Sequence, residues 1–362
     1  MHKLALGLMS GTSADGLTIC AIRPVPFKII FFKNYPYPAK LQKSLLQAFD
    51  LKAPQLSQLH YQLGTLYVKT VQRFLKEFNL KPEQIVVIGS HGQTVYHGPH
   101  DTYPNTLQIG EPSFLAAELN VPVVSDFRAK DVALGGEGAP LMPFFDEYIF
   151  GKKSPKILLN IGGISNFSIV GKNRKTDGFD AGPGNTLMDL CCQHFFKRPF
   201  DKNGAVAARG QADIELVKQL LKQKYFTQKP PKSLDKNAFG IAYLKRFFPI
   251  QKFKNPTDLL ATLNFFTAAA IADQIRRFVP KKDRQEIIVS GGGCYNHTLL
   301  HNLQICLPST KIVSSVSYGI DPHAKEAAAF ALFAWLAWKR QINHCAHATG
   351  ARKNSILGKI SL

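Results

Sequence analysis

A short loop near the start of the chain combines residue types that bind phosphate. Residues 10–16 carry Ser, Gly, Thr and Asp between two apolar runs. Backbone amides and hydroxyls suit the oxygens of a polyphosphate, and Asp15 suits the water shell of Mg²⁺. Gly and Asp also tolerate the positive φ of any tight hairpin, so an ordinary turn explains this loop equally well on its own.

The same plan recurs at residues 157–170, where Asn160, Gly162 and Gly163 lie in or beside a small polar turn between two apolar runs. Two such units half a chain apart predict two related domains, each opening with a hairpin, with the phosphates of a nucleotide between them. This plan resembles that of the actin, heat-shock-chaperone and sugar-kinase superfamily. Two unrelated hairpins are the alternative, since short hairpins are common.

Asp180 stands before a Gly-Pro-Gly turn and a helix that starts near Asn185. We expect Asp180 at the tip of a rigid loop, where its carboxylate could act as general base toward a water or hydroxyl near a bound phosphate. The alternative is a plain helix entry that Asn185 or Asp180 caps.

Three consecutive glycines, Gly291, Gly292 and Gly293, follow an apolar strand and precede Asn296 and a further helix. Glycines allow a flat base or ribose to approach the backbone closely, which favours an adenosine-binding loop. The GxGxxG pattern of dinucleotide-binding folds does not occur here, so that fold is disfavoured.

Polar residues after two other strands suit a sugar. His91, Gln93 and Thr94 offer donors and acceptors for hydroxyl groups, although His91 could equally satisfy its own turn. Arg128 can hold a carboxylate or phosphate, but a surface ion pair with Asp126 or Asp131 competes with that role. Glu326 opens an apolar helix, where it is a dipole partner unless it faces the cleft.

Composition excludes several classes of protein. The 362 residues carry a net charge of +20, but the basic residues are scattered and no nucleic-acid-binding motif accompanies them, so a solvated basic surface is favoured. No apolar stretch reaches the length of a membrane span. The six cysteines form no CxxC pair, which indicates reduced thiols in a cytosolic protein, and no ligand spacing indicates a metal held by the protein itself.

Alternating patterns predict an α/β fold with largely parallel sheets. We expect strands at 28–32, 85–88, 121–124, 157–159, 287–289 and 311–313, and helices at 41–49, 56–78, 113–119, 186–195, 214–221, 259–278 and 324–340. The Gly/Pro-rich residues 134–143 predict a domain boundary, with an N-terminal domain at 1–138 and a C-terminal domain at 139–362. Residues 356–360 could form a last short strand.

At these residues the sequence closely resembles the anhydro-N-acetylmuramic acid kinase family. The matching motifs run in family order over nearly the whole chain: MSGTSADG (9–16), GSHGQT (89–94), TLQIG (106–110), DFR (126–128), GGEGAP (135–140), NIGG (160–163), FDAGPGN (179–185), DKNG (201–204), PPKS (230–233), SGGG (290–293) and EAAAF (326–330).

The resemblance implies two actin-like (ribonuclease H-like) domains with an ATP cleft between them, in a cytoplasmic homodimer that uses ATP and Mg²⁺. Such enzymes open 1,6-anhydro-N-acetylmuramic acid, a cell-wall turnover product, and phosphorylate O6 to give N-acetylmuramic acid 6-phosphate. Another enzyme on the same fold, or a binding protein without turnover, is the alternative. From composition, we expect neither nucleic acid nor a membrane as a partner.

Carried over by motif, Asp180 is the base that activates water, and His91, Gln93, Thr94, Arg128 and Glu326 lie at or beside the sugar. The ATP residues implied are Gly11, Thr12, Ser13, Ala14, Asp15, Gly16, Leu17, Thr18, Asn160, Gly162, Gly163, Gly291, Gly292 and Gly293. No direct metal ligand is implied beyond a water-mediated role of Asp15 toward Mg²⁺.

The chain departs from the family pattern at three places. Ala14 and Ala181 replace larger or hydroxylated residues, which we expect to affect packing behind the site. After the PPKS motif the family usually continues Thr-Gly, whereas this chain has Leu234 and Asp235. We expect this third change to alter the conformation of a loop without touching the chemistry.

Overall fold

The computed structural model describes residues 3–151, 155–171, 178–230, 232, 234, 238–249, 253 and 255–362. The chain forms two compact units: unit 1 comprises Met1–Ile149 and Gly319–Leu362, and unit 2 comprises Phe150–Tyr318. Within the described ranges, no helix combines the length and apolar character that crossing a bilayer requires.

The strands of the described residues are β1 (Leu4–Met9), β2 (Gly16–Arg23), β3 (Lys28–Pro36), β4 (Ile85–Ser90), β5 (Gln93–Gly98), β6 (Asn105–Ile109), β7 (Val123–Ser125), β8 (Lys156–Ile161), β9 (Ile164–Val170), β10 (Gly178–Pro183), β11 (Glu286–Ser290), β12 (Lys311–Ser314) and β13 (Lys359–Ser361).

The α-helices of the same residues are α1 (Ala39–Leu46), α2 (Ala53–Glu77), α3 (Ser113–Leu119), α4 (Phe127–Ala133), α5 (Met142–Phe150), α6 (Thr186–Cys191), α7 (Ile214–Leu220), α8 (Lys224–Thr227), α9 (Ile241–Phe247), α10 (Pro256–Phe278), α11 (His297–Cys306), α12 (Lys325–Trp338) and α13 (Ala346–Thr349).

Unit 1 is built on a sheet of order β13-β7-β4-β1-β2-β3. β1, β2 and β3 form an antiparallel meander, and β4 and β7 continue the sheet in parallel with β1. The apolar helix α12 packs on β1, β4 and β2 and is buried along most of its length. Gly7 and Gly89 allow this close approach, because a Cβ atom would lie 1.8 Å from the carbonyl oxygen of Ala327 or 2.2 Å from that of Phe330.

Unit 2 repeats the plan with a sheet of order β10-β9-β8-β11-β12. β8, β9 and β10 are antiparallel, and β11 and β12 run parallel to β8. The central helix α10 starts at Pro256 after Asn255, whose side-chain oxygen accepts a hydrogen bond from the Asp258 amide at 2.9 Å. Its apolar residues enter a core with Phe226, Phe248 and Phe266.

The recurring strand order confirms the predicted α/β fold and shows that the two units are built on one plan. In each unit a hairpin opens the sheet, as the alternation around residues 10–16 and 162–163 predicts. The polar ends of parallel strands then meet at one edge, which is where ligands bind in open α/β sheets. The fold therefore places the motifs of each unit at the carboxyl ends of its strands.

The division between the units differs from the predicted one. Residues 139–149 and 319–362 belong to unit 1, so the predicted C-terminal domain at 139–362 spans parts of both units. The Gly/Pro-rich residues 134–143 are not a linker, because hydrogen bonds tie them into unit 1. The Gly138 amide donates to Asp131, the Glu137 amide donates to the Thr349 carbonyl at 2.8 Å, and the Arg352 amide donates to the Leu134 carbonyl at 3.0 Å.

Most predicted elements occur with shifted ends. The predicted helix at 186–195 is α6 followed by a π-helical turn at Cys192–Phe196. The predicted strand at 121–124 is shortened to β7, since Pro122 lies before it. The expected last strand at 356–360 is β13, which pairs with β7.

Candidate active site

The phosphate-type loop of unit 1 divides into exposed and buried residues. Thr12, Ser13 and Asp15 are exposed at the turn between β1 and β2. Ala14 adopts the left-handed conformation, with φ of 47°, and its side chain is buried in the core, as is that of Leu17. Gly16 is also buried, and a Cβ atom there would lie 2.6 Å from the Tyr35 carbonyl oxygen. Buried members of the predicted 11–18 set can therefore reach a ligand only through their backbone.

Hydrogen bonds between buried side chains hold this loop in place. The Ser10 hydroxyl donates to Gln93 Oε1 at 2.6 Å and accepts a hydrogen bond from the Tyr37 hydroxyl at 3.0 Å. Gln93 Nε2 donates to the Gly11 carbonyl at 3.1 Å, and only 2% of Gln93 is exposed. Gln93 therefore fixes the shape of the turn and is not placed on the surface.

His91 is buried against Arg128. Arg128 Nε donates to His91 Nε2 at 3.1 Å, and His91 Nδ1 lies 2.9 Å from the Gly92 carbonyl oxygen. Nδ1 must carry the proton in this arrangement, because Nε2 is the acceptor. Burial, and secondarily the charge of Arg128, lowers the pKa of His91 to about 3, so the imidazole is neutral.

Arg128 pairs with neither of the carboxylates that the sequence offers as partners. Its Nη1 donates to the Gly138 carbonyl oxygen at 2.8 Å, while Asp126 pairs with Lys359. Asp131, which is fully buried, accepts from the Gly138 amide and lies 2.6 Å from His344 Nε2. Among the described residues, Nη2 of Arg128 is left without a hydrogen-bond acceptor, so it can bind an anion.

The other predicted sugar residues of unit 1 lie near the surface. Thr94 is partly exposed on β5, and Gln108 Nε2 approaches its hydroxyl at 3.4 Å. Glu326 is in the first turn of α12 and reaches solvent. Loss of surrounding water raises the pKa of Glu326, whereas the charges of Lys325 and Arg128 act in the opposite direction. The structure thus brings His91, Arg128 and Glu326 into one electrostatic cluster.

In unit 2 the turn of the second hairpin is fastened to the start of α6. The amides of Gly184 and Thr186 donate to the Gly163 carbonyl at 3.0 and 3.2 Å. Asn185 Nδ2 donates to the Gly162 carbonyl at 3.0 Å, so its side chain braces the turn and does not cap the helix. A Cβ atom at Gly184 would lie 2.3 Å from the Gly162 carbonyl oxygen, which explains the glycine.

The triple-glycine loop packs against the same turn. Gly291 has φ of 77°, and a Cβ atom there would lie 2.6 Å from the Ile161 carbonyl and 2.7 Å from Asn160 Oδ1. Gly292 is open by comparison, with Asn185 as its nearest neighbour at 3.6 Å. As predicted, Asn296 precedes a helix, and its side chain caps α11 by accepting from the Leu299 amide at 3.0 Å.

Asp180 lies on the edge strand β10, opposite Asn166 of β9, and not at the tip of a loop as predicted. The strand has a register irregularity between Asp180 and Gly182, because the chain turns there toward α6. The Asp180 side chain is half-buried, and burial raises the pKa of its carboxyl, while the Leu234 amide lowers it. Asp180 caps no helix, so the alternative role proposed for it is not observed.

The loop with the unusual Leu234 contacts Asp180 directly. The Leu234 amide donates to Asp180 Oδ2 at 2.8 Å, and the Asp180 amide donates to the Lys232 carbonyl at 3.3 Å. The loop therefore contacts the residue that the resemblance implies as the base, which the expectation of a change confined to loop conformation did not include. The donor is a backbone group, which explains why Leu can replace the hydroxyl residue usual here. Pro231, Ser233 and Asp235 lie outside the described residues.

The other two departures from the family pattern affect packing, as predicted. Ala14 and Ala181 have no exposed surface. Both side chains contact hydrophobic cores, Ala14 that of unit 1 and Ala181 that of unit 2.

Metal binding by protein ligands alone finds no support in the described part of the chain, where no three His, Cys, Asp or Glu side chains cluster suitably. A single exposed carboxylate, such as that of Asp15, suits Mg²⁺ through the water ligands of the ion. This ion keeps several water ligands and usually reaches its site with the phosphates of its nucleotide.

Comparison with known proteins identifies the family. The model of the family described as anhydro-N-acetylmuramic acid kinase matches residues 3–362. The chain belongs to this family. The match includes both hairpins, the Asp180 strand and the triple-glycine loop. The predicted site residues of both units therefore lie within the region that matches the family.

Curated members of the anhydro-N-acetylmuramic acid kinase family align over all or nearly all of their length. A relative from Sulfurimonas denitrificans is 37% identical over 375 residues, covering 99% of this chain and 100% of the relative. A relative from Pasteurella multocida is 37% identical over 364 residues, covering 98% and 96%. Both carry the name anhydro-N-acetylmuramic acid kinase.

Solved structures are more distant. The 2-hydroxyglutaryl-CoA dehydratase component A of Acidaminococcus fermentans aligns with a TM-score of 0.47 at 11% identity, covering 92% of this chain and 98% of that one. An activator of 2-hydroxyisocaproyl-CoA dehydratase from Clostridium difficile aligns with a TM-score of 0.46 at 11% identity, covering 93% and 96%.

Sequence reasoning missed residues that hold the site in place. Five such residues form hydrogen bonds to predicted site residues: Ser10, Tyr37, Tyr225, Lys232 and Leu234. Lys232 stands in the PPKS motif, which marks it as a family feature. Its proximity to Asp180 depends on a contact between residues more than fifty positions apart, which no local pattern predicts.

Proposed function

We propose that this protein uses ATP to convert 1,6-anhydro-N-acetylmuramic acid into N-acetylmuramic acid 6-phosphate, in cell-wall recycling. Membership of the anhydro-N-acetylmuramic acid kinase family supports the reaction. Water attacks C1, the C1–O6 bond breaks, and the proton of the water passes to Asp180. O6 then forms a bond to the γ-phosphorus of ATP, whose bond to the bridging oxygen of ADP breaks.

The environment of Asp180 is the observation that carries this proposal. Burial raises the pKa of the carboxyl, which makes it a stronger base, and the Leu234 amide opposes this shift because it hydrogen-bonds to the charged form. The same amide occupies one lone pair of Oδ2 and orients the group. Among the described residues no group donates to Oδ1, so we assign this oxygen as the acceptor for the proton.

The residues that we propose for ATP binding lie in polar loops, described for each unit separately. In unit 1 we assign the hydroxyls of Thr12 and Ser13, the backbone of residues 11–18 and, through water to Mg²⁺, the carboxylate of Asp15. In unit 2 we assign Asn160 and the backbone at Gly162, Gly163 and 291–293, because these groups line glycine-rich turns where a ligand can approach the main chain.

The sugar would be held by Arg128, Thr94 and Glu326. The lactyl carboxylate of the substrate is an anion, and Nη2 of Arg128 is a donor available to it. Thr94 and Glu326 suit hydroxyl groups. His91 and Gln93 act behind them, His91 by holding Arg128 and Gln93 by holding the phosphate loop.

We also propose a cytoplasmic homodimer. None of the six cysteines forms a disulfide bond, which suits a reducing compartment. The dimer rests on the family resemblance, and analytical ultracentrifugation of the purified protein tests it by the mass of the sedimenting species.

The decisive experiment incubates the protein with ATP, Mg²⁺ and the anhydro sugar and measures ADP and sugar phosphate by mass spectrometry. We expect one ADP for each N-acetylmuramic acid 6-phosphate. N-acetylglucosamine and glucose serve as competing acceptors, and faster phosphorylation of either would favour an ordinary sugar kinase.

An Asp180→Asn variant tests the base in the same assay. We expect it to bind ATP normally and to lose turnover by roughly 10²- to 10⁴-fold, as is typical for removal of a general base. Turnover close to that of the unaltered protein would assign the proton transfer to another group.

A further inference from the structure

Lys232 connects the loop that contacts Asp180 to the core of unit 2. Lys232 is 8% exposed, and its Nζ donates to the Tyr225 carbonyl oxygen at 2.9 Å and to Gln274 Oε1. Gln274 belongs to α10 and has no exposed surface. The side chain of one loop residue therefore reaches two helices, α8 and α10.

Aromatic rings surround the same amine. Nζ of Lys232 lies 4.6 Å from the ring centroid of Tyr225, 5.1 Å from that of Phe278 and 5.5 Å from that of Phe179. Phe179 directly precedes Asp180 on β10. Cation–π attraction and two hydrogen bonds offset the cost of removing the amine from water.

Tyr225 completes a closed series of hydrogen bonds that includes Lys232 and Asp180. The Tyr225 hydroxyl donates to the Asp180 carbonyl oxygen at 2.6 Å, and the Tyr225 carbonyl accepts from Lys232. The Lys232 carbonyl in turn accepts from the Asp180 amide, and two residues later the Leu234 amide donates to the carboxylate. The two hydrogen bonds between this loop and Asp180, one to its amide and one to its carboxylate, thus depend on where Lys232 is held.

We propose that Lys232 is a positioning residue for Asp180: its caged amine fixes the place of Lys232, and thereby that of the Leu234 amide that orients the Asp180 carboxylate. This inference rests on the proposed role of Asp180 as the base. Lys232 does not touch the reacting atoms and acts through the backbone of its own loop.

The charges around this group define the expected pH dependence. Burial lowers the pKa of Lys232 to about 8, opposed by Asp273 and assisted by Arg277 on α10, so the amine is mostly protonated at neutral pH. Among the described residues, Tyr225 is the ionisable side chain that contacts the Asp180 backbone, and burial raises its pKa above the working range. The hydrogen bond from the Leu234 amide is therefore the influence on the pKa of the Asp180 carboxyl that the variants below change.

Lys232→Met tests the proposal, since Met keeps the length and apolar stem of the side chain. We expect kcat to fall roughly 10- to 100-fold, as for a slightly misplaced catalytic group, with KM for ATP unchanged. The acidic limb of the kcat/KM profile should move upward by about one pH unit, because the carboxyl loses a hydrogen bond to its charged form.

Lys156→Met is the matched control. Lys156 is also a well-buried lysine of unit 2. It lies at the start of β8, pairs with Glu286 and has no part in the proposed site. We expect this variant to lose stability while its acidic limb stays where it is in the unaltered protein. A limb that moves equally in both variants, or in neither, overturns the positioning role.

A second pair of variants tests the amide alone. Leu234→Ala keeps the N–H group and Leu234→Pro removes it, so only the proline variant should reproduce the pH shift of Lys232→Met. Equal profiles for the alanine and proline variants contradict the proposal even if Lys232→Met fails to fold.

Nitrogen-15 labelling of leucine separates this inference from the proposed function. In the unaltered protein the Leu234 amide resonance should follow the titration of Asp180, and this response should vanish in Lys232→Met. If the resonance behaves so but the anhydro sugar is not turned over, the function fails while the positioning contact stands. If the sugar is turned over but the resonance does not follow Asp180, the positioning role fails alone.

Discussion

Arg128 Nε donates a hydrogen bond to His91 Nε2 at 3.1 Å, and this contact fixes the state of both side chains. His91 can accept only as the neutral tautomer whose Nδ1 proton points to the Gly92 carbonyl. The guanidinium is consequently held on one side by an imidazole and on the other by the Gly138 carbonyl. Among the described residues, its Nη2 has no hydrogen-bond acceptor, so it remains a donor for the anion proposed above.

The neutral state of His91 predicts a loss of stability in acid. The pKa of His91 is about 3 in the folded protein, below that of an exposed histidine, so the unfolded chain binds the proton more readily. Its contribution is complete above about pH 6.5 and is lost as the pH falls toward 3, reaching a loss of about 2 kcal/mol at pH 5.

Replacing His91 by Gln, which keeps an acceptor and a donor, should remove this part of the pH dependence. Both tryptophans, Trp335 and Trp338, lie on α12, so tryptophan fluorescence in urea reports the unfolding of unit 1. The difference in unfolding free energy between pH 7 and pH 5 should be smaller for His91→Gln. Equal differences for the two proteins would mean that His91 titrates normally.

Arg128→Lys should weaken sugar binding specifically. A lysine amine cannot span His91, Gly138 and a ligand as the planar guanidinium does. We expect KM for the anhydro sugar to rise roughly tenfold, equivalent to about 1.4 kcal/mol, with KM for ATP unchanged. Steady-state kinetics with each substrate varied in turn measures this split. Arg73→Lys, on the exposed face of α2, should change neither constant, and a parallel rise in KM for ATP would contradict the assignment.

Asp131→Asn should destabilise unit 1. The buried carboxylate accepts hydrogen bonds from the Gly138 amide and the Thr349 hydroxyl and contacts His344, and an amide nitrogen cannot accept in their place. We expect a loss of about 3 kcal/mol in unfolding free energy, measured by tryptophan fluorescence in urea. Asp126→Asn is the comparison: its partner Lys359 is 74% exposed, so about 0–1 kcal/mol should be lost. Equal losses would show that burial does not decide the effect.

Gly291→Ala and Gly292→Ala should separate stability from nucleotide binding. At Gly291 the positive φ and the close Ile161 carbonyl oppose a side chain, so we expect a loss of about 2 kcal/mol or more in calorimetry. At Gly292 a methyl group meets no close neighbour, so stability should change by less than about 0.5 kcal/mol. If ATP lies against this loop, Gly292→Ala should instead raise KM for ATP. An unchanged KM in a stable Gly292→Ala variant would place the nucleotide elsewhere.

Local patterns in the sequence predicted the elements that depend on neighbouring residues. The alternation around Gly162 and Gly163 predicted a hairpin, and the polar Asn296 before an apolar run predicted a helix start, because strand pairing in a hairpin and capping act over a few positions. The motifs also identified the residues at the ends of parallel strands. In these parts of the fold, the residues that interact are also close together in the sequence.

Contacts between distant residues could not be predicted in this way. Arg128 has two carboxylates within three positions, yet it binds His91 and the carbonyl of Gly138, because Asp131 is turned inward by His344. Asp180 was expected on a loop because a Gly-Pro-Gly turn follows it, whereas pairing with Asn166 makes it part of an edge strand. In both cases tertiary partners decide between local alternatives that are similar in energy.

The return of the chain to unit 1 has a consequence for the protein as it emerges from the ribosome. One face of β1 and β4 is covered by α12, which follows unit 2 in the chain, whereas unit 2 is one continuous stretch. Synthesis proceeds from the N-terminus, so the first part of unit 1 must wait for α12 before its sheet is covered. Unit 2 can complete its core earlier, and a nascent chain that stalls before residue 325 would expose the apolar surface around Gly7 and Gly89 to chaperones.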